Sequence, residues 1–576
     1  MPFKERESHP ISNKDIVSFA LDDPDYDIDK PLLINAADPT QHYTHRTATL
    51  TVRRLIAGLH ASGLRPNDVV LLHSFNSPLY PLLILSIIGA GGIHVGTNPS
   101  YTTAELSHAL RLSHAKFVLS EPELLPNTTH AIRETSRASD TTTKLFILDT
   151  LPEQSVPPGQ TSWHSLLNHG ETPWIRFNDP SQSRDTVAQL YYTSGTTGLP
   201  KCAMVTHRNI TSQHQLFFEA SPRSYPFKLA LTMPFFHMGI APYIIVSGFR
   251  EGREAYVMRR FELEAYLKLH SKYQLTEVFM VPPMVNAVVM SGLADETSPN
   301  YKAECSLRSV RNGTSGAAPL SGDLQSRFAG LLGEGGTFSQ VWGMTETTSI
   351  ALEVPWGIAR GCSAGKPELQ SAWGTVGIPI RGISMKLVDE NGRDATDSGK
   401  GELCVKGPTV VKGYFENEKA TKESWDEEGY FKTGDVVETR VHRDPETGDD
   451  HALCYVVERL KELIKVRGFQ VAPAELEGAL TEHADIVDAA VIGLATKGQD
   501  GTELPKAYLV RRPGSKITEQ DVMAHMKGRL ARYKQLEGGV EFVDSIPKLP
   551  SGKILKRVLR EDAKRKAQQD VGVSKL

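Results

Sequence analysis

One short stretch, residues 192–201 (YTSGTTGLPK), constrains this chain of 576 residues more than any other. The apolar run 187–192 leads into it and predicts a buried strand. Two glycines and four hydroxyl side chains follow within residues 193–198, and glycine lets a backbone approach an anion closely. Lys201 adds a compact positive charge that suits phosphate. The stretch is therefore typical either of a loop that binds a triphosphate or of a flexible turn between two elements.

The glycine spacing differs from that of the common phosphate-binding loop. That loop has four residues between its glycines, followed by Gly-Lys and a hydroxyl residue, whereas two residues separate Gly195 from Gly198. Farther on, Thr206 is a candidate N-cap for a helix that carries Ile210 and Phe217 near one face. We expect the loop to lie between a buried strand and this helix.

Length and composition indicate a globular protein with several domains. A chain of 576 residues predicts about two to four domains or subdomains. The 40% hydrophobic and 23% charged residues are ordinary values, and a net charge of −4 gives no reason to expect nucleic acid or an anionic membrane as a partner. The five cysteines are scattered without a C-x-x-C pair, which predicts reduced thiols inside the cell.

The two ends of the chain bear on its location. Residues 1–10 are too charged to begin a secretory signal. The most apolar stretch, 79–95, is shorter than a bilayer span and contains Pro81 and three glycines, so no membrane span is expected. The final tripeptide Ser574-Lys575-Leu576 matches the peroxisomal address that an import receptor reads. We therefore expect a peroxisomal protein with that receptor as a partner.

Strand and helix patterns alternate in the first part of the chain. Residues 68–73 and 93–95 read as strands around a helix at 78–88, and Thr102 with Glu105 forms a capping box for a second helix. Further strands are predicted at 116–119, 228–233, 277–281 and 310–313. This alternation predicts an α/β fold with parallel sheets covered by helices.

The pattern changes twice towards the end of the chain. Residues 374–415 contain short β-like runs separated by turn residues, which predicts a small β-rich subdomain. From residue 458 the chain is strongly charged and then predicts strands at 489–493 and 507–510 and a helix near 518–530. We expect a large N-terminal domain, 1–457, made of several subdomains, and a small α+β C-terminal domain, 458–576.

Four further motifs carry residues suited to chemistry. They are 340–346 (QVWGMTE), 430–435 (YFKTGD), 458–477 (ERLKELIKVRGFQVAPAELE) and 547–557 (PKLPSGKILKR). Trp342 offers a flat aromatic face, and Glu346 a hard oxygen ligand for a metal ion. Each motif alone also has a plain structural explanation. An aromatic residue can belong to the core, and residues 458–465 can form a salt-bridged amphipathic helix.

All of these motifs, in this order, resemble those of the adenylate-forming (AMP-binding) superfamily. The chain looks like an acyl-CoA synthetase or 4-coumarate:CoA ligase-like enzyme over nearly its whole length. The resemblance implies ATP, Mg²⁺ and coenzyme A as cofactors and a carboxylic acid as substrate. It also implies that the C-terminal domain is mobile.

The resemblance implies a site residue by residue. The residues that it implies for cofactor binding are Thr193, Ser194, Gly195, Thr196, Thr197, Gly198, Lys201, Gly316, Ala317, Ala318, Trp342, Gly343, Thr345, Asp435, Arg459, Lys461 and Gly468. Among these, Trp342 is expected to stack on adenine, and Asp435 and Arg459 to contact the ribose. Catalytic roles fall to Lys553, Lys465, Glu346 and His237, with Glu346 also the metal ligand.

The same resemblance implies a substrate pocket formed by His237, Gly239, Thr314 and Val341. Val341 stands where the family usually has glycine, and Gly239 where plant 4-coumarate ligases have tyrosine. The pocket segments carry no charged partner for the acid's tail. These departures favour an apolar acid, medium-chain aliphatic or arylalkanoic, and a product used in specialised metabolite biosynthesis.

The implied reaction has two steps. The acid and MgATP give an acyl-adenylate and pyrophosphate, and coenzyme A then displaces AMP. In the family the C-terminal domain rotates between the steps, so Lys553 and Lys465 are expected to serve different half-reactions.

Three alternative functions compete with this one. A luciferase-like oxygenase shares the motifs and the C-terminal tripeptide. A stand-alone amino-acid adenylating enzyme would carry an aspartate where His237 follows Phe236. An inactive scaffold would be expected to have lost some of the charged residues of the motifs, yet these are all present: Lys201, Glu346, Asp435 and Lys553.

Overall fold

The structure, a computed structural model, describes most of the chain. The described residues are 10–136, 143–193, 201–460, 462–466, 469–495, 503–527, 529–530, 532–548, 552 and 554–573.

The strands are, in chain order, β1 Pro31–Asn35, β2 His42–Thr44, β3 Val69–His73, β4 Ile93–Thr97, β5 Phe117–Ser120, β6 Lys144–Ile147, β7 Val187–Thr193, β8 Lys201–Thr206, β9 Lys228–Leu231, β10 Glu254–Val257, β11 Glu277–Met280, β12 Asn312–Ser315, β13 Thr337–Met344, β14 Ser349–Glu353, β15 Ile378–Pro379, β16 Ser384–Val388, β17 Lys400–Lys406, β18 Phe431–Arg443, β19 Asp450–Arg459, β20 Ile464–Val466, β21 Phe469–Val471, β22 Ile486–Ala495, β23 Glu503–Arg511 and β24 Val540–Phe542.

The helices are α1 Ile16–Leu21, α2 His45–Ala61, α3 Leu79–Gly89, α4 Thr103–Ser113, α5 Leu125–Ser136, α6 Pro180–Asp185, α7 His207–Gln213, α8 Gly248–Arg250, α9 Leu263–Tyr273, α10 Pro282–Ser291, α11 Gly322–Ala329, α12 Trp356–Ser363, α13 Glu418–Ser424, α14 Pro473–Thr481, α15 Glu519–Lys527 and α16 Lys556–Val573. Two π-helical turns, His214–Glu219 and Tyr243–Ser247, add to them.

The first large sheet has six strands in the order β6-β5-β3-β4-β7-β8. Its strands are parallel except for the last pair. All residues of β3 and β4 are buried, as expected when helices cover a parallel sheet. The predicted capping box is confirmed: the backbone N–H of Thr102 donates to Glu105 at 2.8 Å and that of Glu105 to Thr102 Oγ1 at 3.4 Å.

The second large sheet has nine strands in the order β15-β14-β13-β12-β11-β9-β10-β1-β2. Strands β13, β12, β11, β9, β10 and β1 are parallel. In parallel α/β sheets ligands bind at the carboxyl ends of the strands. The predicted strand at 310–313 lies two residues later, as β12, because Val310 belongs to the turn before it.

The element after the 192–201 stretch differs from the prediction. Strand β7 is confirmed, but the next element is strand β8, antiparallel to β7 and paired up to Thr193 opposite Lys201. Helix α7 begins only after β8, with Thr206 as its N-cap and Asn209 completing a capping box. The loop thus joins two paired strands rather than a strand and a helix. Residues 194–200 themselves lie outside the described residues.

A four-stranded antiparallel sheet, β16-β17-β18-β19, contains the predicted β-rich subdomain. Its last strand runs on to Arg459, which pairs with Asp435 of β18. The predicted domain boundary at 458 therefore falls inside β19. The salt-bridged helix considered for residues 458–465 does not form, because the chain passes from β19 into the hairpin β20-β21.

The C-terminal part has its own core. Strands β22, β23 and β24 form a sheet whose apolar residues pack with β20, α14 and α15 around Val491, Leu509 and Leu476. All five cysteines of the chain are free and buried. Among the described residues, no helix is long and apolar enough to cross a membrane.

A buried lysine connects this C-terminal part to the end of β19. Lys556 Nζ lies 3.1 Å from a Glu477 carboxylate oxygen and 3.6 Å from oxygens of both Glu458 and Glu462. Burial acts to lower the pKa of Lys556, but the three carboxylates outweigh it and the pKa is raised. Burial also raises the pKa of Glu477, more than Lys556 lowers it. One ammonium therefore holds three carboxylates together away from water.

We expect Lys556→Met to destabilise the protein by about 3–5 kcal/mol at pH 7, because it leaves buried carboxylates without a cation. The raised pKa of Glu477 means that the folded state binds its proton more tightly than the unfolded state does. Protonation therefore restores stability as the pH falls, and the loss should be smaller at pH ~5. Urea unfolding at both pH values measures this.

Lys566→Met is the matched control, because Lys566 lies on the same helix α16 with its side chain 47% exposed. Its loss should stay below about 1 kcal/mol. Equal losses in the two variants, or a loss in Lys556→Met that does not change with pH, would contradict this account.

Candidate active site

The predicted site residues converge at the carboxyl ends of β12 and β13. Gly316 directly follows β12, and Trp342 and Gly343 lie near the end of β13. Glu346 lies in the 3₁₀ turn Thr345–Thr347 after β13. Strands β18 and β19 bring Asp435 to the same place from the four-stranded sheet. Among the described residues, those of motifs 340–346 and 430–435 therefore meet at one edge of the nine-stranded sheet, although they are far apart in sequence.

The Asp435 carboxylate is the centre of one half of the site. Trp342 Nε1 donates a hydrogen bond to Asp435 Oδ2 at 2.9 Å, and Arg459 Nε lies 3.0 Å from Oδ1. Asp435 is only 6% exposed, and its Oδ1 accepts no aligned hydrogen bond from the residues that the structure describes. An acceptor of this kind fits a ribose hydroxyl, which can donate to it. The stacking of Trp342 on adenine stays a prediction.

The other half of the site is a chain of three side chains. Tyr414 donates its hydroxyl to Glu346 Oε1 at 2.9 Å, and Lys201 Nζ lies 4.6 Å from the centre of the Tyr414 ring. Tyr414 reaches this place because residues 412–415 run beside β8, with Tyr414 bridged to Ala203. Lys201, the first described residue after the 194–200 loop, is thereby linked to Glu346, and Thr193, the last described residue before the loop, pairs with Lys201.

The buried surroundings of the Glu346 carboxyl are consistent with a role as a metal ligand. Burial raises the pKa of this carboxyl, and the Tyr414 hydrogen bond and the charges of Arg459 and Lys201 offset the rise only in part. A bound cation would favour the charged form directly. The described residues contain no cluster of three or more His, Cys, Asp or Glu that could hold a metal. One carboxylate is enough for Mg²⁺, which usually binds through one or two carboxylates and the substrate phosphates.

The segment Gly316–Ala318 is held in a tight conformation. A Cβ added to Gly316 would lie 3.1 Å from Val341 Cγ2, and Ala317 has φ +74°. This left-handed conformation is costly for a residue with a side chain, and such strain concentrates at functional sites. Gly343 has no room for a side chain at all, because a Cβ there would meet Ser349 O at 1.7 Å.

His237 is held by the backbone of its own turn. The Gly239 N–H donates to His237 Nδ1 at 3.1 Å, so the neutral ring carries its proton on Nε2. Burial lowers the pKa of His237 to about 4, which leaves the imidazole uncharged at neutral pH. The Gly239 carbonyl in turn accepts a hydrogen bond from Ser349 Oγ at 3.0 Å, which ties this turn to the start of β14.

A cavity begins beside these residues, with about 50 Å³ open to the centres of water-sized molecules. It is lined by Phe217, Phe218, Arg223, Phe227, Leu229, Gly239, Ile240, Tyr243, Arg253, Glu277, Val278, Phe279, Asn312, Thr314 and Ile350. Gly239 and Thr314 were predicted to line the substrate pocket. Val341 and His237 were also predicted to line the substrate pocket, but neither is among the residues that line this cavity. Val341 packs instead against Gly316.

The residues predicted in the C-terminal part are only partly described. Lys465 lies on β20, paired with Gln470. Lys461, Gly468, Lys553 and the loop residues Ser194, Gly195, Thr196, Thr197 and Gly198 lie outside the described residues. Gly552, which directly precedes Lys553, sits against the N-terminal end of α10, where a Cβ would lie 2.6 Å from Pro283 Cγ. Gly552 therefore packs on the N-terminal domain.

Sequence reasoning missed Tyr414 and the polar residues deep in the cavity. Tyr414 lay in no recognised motif. Glu277 was visible as a lone acid in the apolar run 275–281 (LTEVFMV), a position where a carboxylate must find partners. Arg253, 6% exposed, gave no comparable signal, because its burial depends on segments distant in sequence.

Comparison with known proteins gives consistent matches over nearly the whole chain. The family model described as AMP-binding enzyme matches residues 24–415, and that described as AMP-binding enzyme C-terminal domain matches residues 475–553. Phenylacetyl-CoA ligase epaB of Aspergillus niger is 41% identical, covering 97% of this chain and 99% of the relative. Acyl-CoA ligase azaF of Aspergillus niger is 41% identical, covering 97% and 100%. The crystal structure of ATP-bound MatB from Rhodopseudomonas palustris aligns with a TM-score of 0.77 at 25% identity, covering 96% of this chain and 99% of that one.

Tyr414→Phe keeps the ring beside Lys201 but removes the hydroxyl that lowers the pKa of Glu346. We expect about 10-fold more Mg²⁺ to be needed for half-maximal turnover, the usual effect of losing a partner behind a metal ligand. The pKa of Glu346 should rise further, so activity should fail at a higher pH as the solution is acidified. Pyrophosphate release at varied Mg²⁺ concentration and varied pH measures both effects.

Tyr301→Phe is the control, because Tyr301 is an exposed tyrosine. An unchanged Mg²⁺ requirement in Tyr414→Phe would separate Tyr414 from the metal site.

Proposed function

Because the chain belongs to the AMP-binding enzyme family, we propose that it is an ATP-dependent acid–thiol ligase that forms an acyl-CoA. The acid and ATP would give an acyl-adenylate and pyrophosphate, and coenzyme A would displace AMP. One observation carries the proposal: the side chains around Asp435 and Glu346 lie beside a cavity with aromatic walls. Ile350 connects the cavity to this group of side chains, because it lines the cavity and pairs with Gly343 on β13.

Each half of the site has a task in this reaction. Asp435 Oδ1 would accept a ribose hydrogen bond while Trp342 and Arg459 hold the carboxylate in place. Lys201 and Thr193 flank the loop that would hold the phosphates. Mg²⁺ bound through Glu346 would offset the repulsion between the acid's carboxylate and the α-phosphate. His237, uncharged at neutral pH, adds no charge to this reaction centre.

We propose an arylalkanoic or medium-chain aliphatic acid as substrate, with a product used in specialised metabolism. Five aromatic residues support this, because rings on several sides favour an aromatic or aliphatic middle part of the acid: Phe217, Phe218, Phe227, Tyr243 and Phe279. The relative named for phenylacetyl-CoA formation, 41% identical, points the same way. Gly239 leaves room where a larger residue would narrow the cavity.

A panel of aryl and aliphatic acids tests the activity directly. Pyrophosphate release should require ATP and an acid, and acyl-CoA should appear only when coenzyme A is added. Pyrophosphate release without any acyl-CoA would leave an adenylating enzyme with another acceptor. Light emission in place of thioester would identify an oxygenase instead.

The two C-terminal lysines provide a sharper test. Lys553→Ala should slow acyl-adenylate formation by on the order of 100-fold, as for the loss of one charge-stabilising donor, and leave thiolysis of supplied acyl-adenylate comparatively intact. Lys465→Ala should do the reverse. The two half-reactions are measured separately in both variants, with Lys566→Ala as control. Equal losses in both steps would count against alternation of the C-terminal domain.

We also propose import into peroxisomes through Ser574-Lys575-Leu576. A fusion that leaves this tripeptide free should be punctate and coincide with a peroxisomal marker. Deleting the three residues should make it diffuse. A diffuse pattern for both fusions would show that no receptor reads the tripeptide.

A further inference from the structure

The cavity has two layers that differ in chemistry. Register across the sheet places Phe279 opposite Thr314 in one layer and Glu277 opposite Asn312 in the next. Two residues along a strand span about 6.6 Å, so the second layer lies that much farther from the carboxyl ends, where the reaction centre is. Leu229 pairs with Glu277 and extends the second layer. An acid bound with its carboxylate at the reaction centre would direct its tail towards this layer.

Aromatic rings form the walls between the layers. Phe227 stacks on Tyr243 with ring centres 5.7 Å apart, and Phe217 meets Phe218 edge to face at 4.9 Å. The π-helical turns that carry Phe218 and Tyr243 bring these two rings within 6.0 Å of each other. The middle of the cavity is thus apolar and suits a ring or a short hydrocarbon chain.

The far layer is polar and buried. Glu277, 5% exposed, accepts hydrogen bonds from Tyr225 OH at 2.6 Å, Asn312 Nδ2 at 2.9 Å and Arg223 Nε at 3.3 Å. Arg253 lies over the Phe227 ring at 4.1 Å. Its Nε donates to Glu251 at 3.0 Å and its Nη2 donates to the same oxygen.

Hydrogen-bonding capacity remains on both charged groups. Within the described part of the chain, Glu277 Oε2 accepts one hydrogen bond, from Asn312, and Arg253 Nη1 donates none. A carboxylate oxygen can accept more than one such bond, and a guanidinium has five N–H groups. The end of the cavity therefore offers at least one acceptor, on Glu277, and one donor, on Arg253.

The charges at this end are balanced in pairs. Arg223 faces Glu277, and Arg253 faces Glu251. A second carboxylate placed here would be repelled by Glu277 and an ammonium by Arg253, and either would add a net charge to a buried site whose charges are already paired. A hydroxyl is neutral and both donates and accepts, so it suits the pair.

We propose that the substrate acid carries a hydroxyl at the end away from its carboxyl, and that Glu277 and Arg253 bind it. The hydroxyl donates to Glu277 Oε2 and accepts from Arg253 Nη1, while the aromatic walls hold the apolar middle of the molecule. The substrate class is thus an amphipathic acid: a terminal hydroxyalkanoic acid or a hydroxyaryl alkanoic acid. This inference rests on the proposed acyl-CoA ligase function.

Matched pairs of acids test the inference in the unmodified protein. We compare kcat/KM, from pyrophosphate release, for octanoate against its terminal hydroxy derivative and for phenylpropanoate against its para-hydroxy derivative. The hydroxy acid should be preferred by ~10-fold or more in at least one pair, because a site built to bind a hydroxyl rejects the analogue without it. A para-carboxy derivative of phenylpropanoate should be the poorest of its series.

The Glu277→Gln variant then tests whether Glu277 is responsible for the preference for hydroxy acids. The ratio of kcat/KM for the hydroxy and unsubstituted acids should fall towards one, and the matched Glu254→Gln change should leave the ratio as it is. Glu254 lies on β10, which β9 separates from the strand of Glu277; it pairs with Lys228 at 3.3 Å and does not line the cavity.

Preference for the unsubstituted acids in the unmodified protein would overturn the inference while leaving the ligase activity standing. So would a hydroxy preference that Glu277→Gln leaves intact. Absence of ATP-dependent turnover with every acid would instead overturn the proposed function, and this inference with it.

Discussion

The carboxylate of Asp435 is the interaction on which the arrangement of the site depends. A carboxylate buried this deeply is stable only when hydrogen bonds and a counter-charge replace the water it has lost. Trp342 supplies the hydrogen bond from the nine-stranded sheet, and Arg459 supplies the charge from the end of β19. The Leu460 N–H donates to Gly434 O at 2.8 Å, which fixes where the chain leaves β19 for the C-terminal domain. One acidic group thus aligns two sheets and sets the exit point of the chain.

Along the parallel strands, the residues proposed to bind the nucleotide are separate from those that line the cavity proposed for the acid. Their carboxyl ends carry Gly316 and Glu346, two of the residues proposed for nucleotide binding. Residues deeper in the sheet, such as Glu277 on β11 and Asn312 on β12, line the cavity proposed for the acid. The two sets of residues occupy different positions along the strands. Substitutions among the residues that line the cavity can therefore alter which acid it accepts without moving the residues proposed for the nucleotide. This division explains how one reaction can be combined with many different acids.

Much of this arrangement could be predicted from the sequence, and the exceptions have physical causes. The alternation of apolar runs predicts the large sheets, and the motifs around Trp342, Glu346 and Asp435 meet as their order implies. Strand β8 was missed because the apolar run after Lys201, residues 202–205 (CAMV), is only four residues long and leads directly into the helix cap at Thr206. Local patterns could not reveal Tyr414 beside Lys201 or Arg253 beside the cavity. These contacts join segments far apart in the chain, and only the packed fold brings them together.

The five cysteines have a consequence for an enzyme that handles a thiol and an activated acyl group. A mixed anhydride of acid and AMP reacts with any accessible thiolate, and a cysteine of the protein would compete with coenzyme A. Every cysteine here is buried, and burial raises the pKa of Cys362 to about 11 and those of Cys404 and Cys454 to about 12. The protein therefore presents no nucleophilic sulfur of its own, and the only thiol able to capture the acyl group is the one that enters from solution. Self-acylation is prevented by the same packing that stabilises the core.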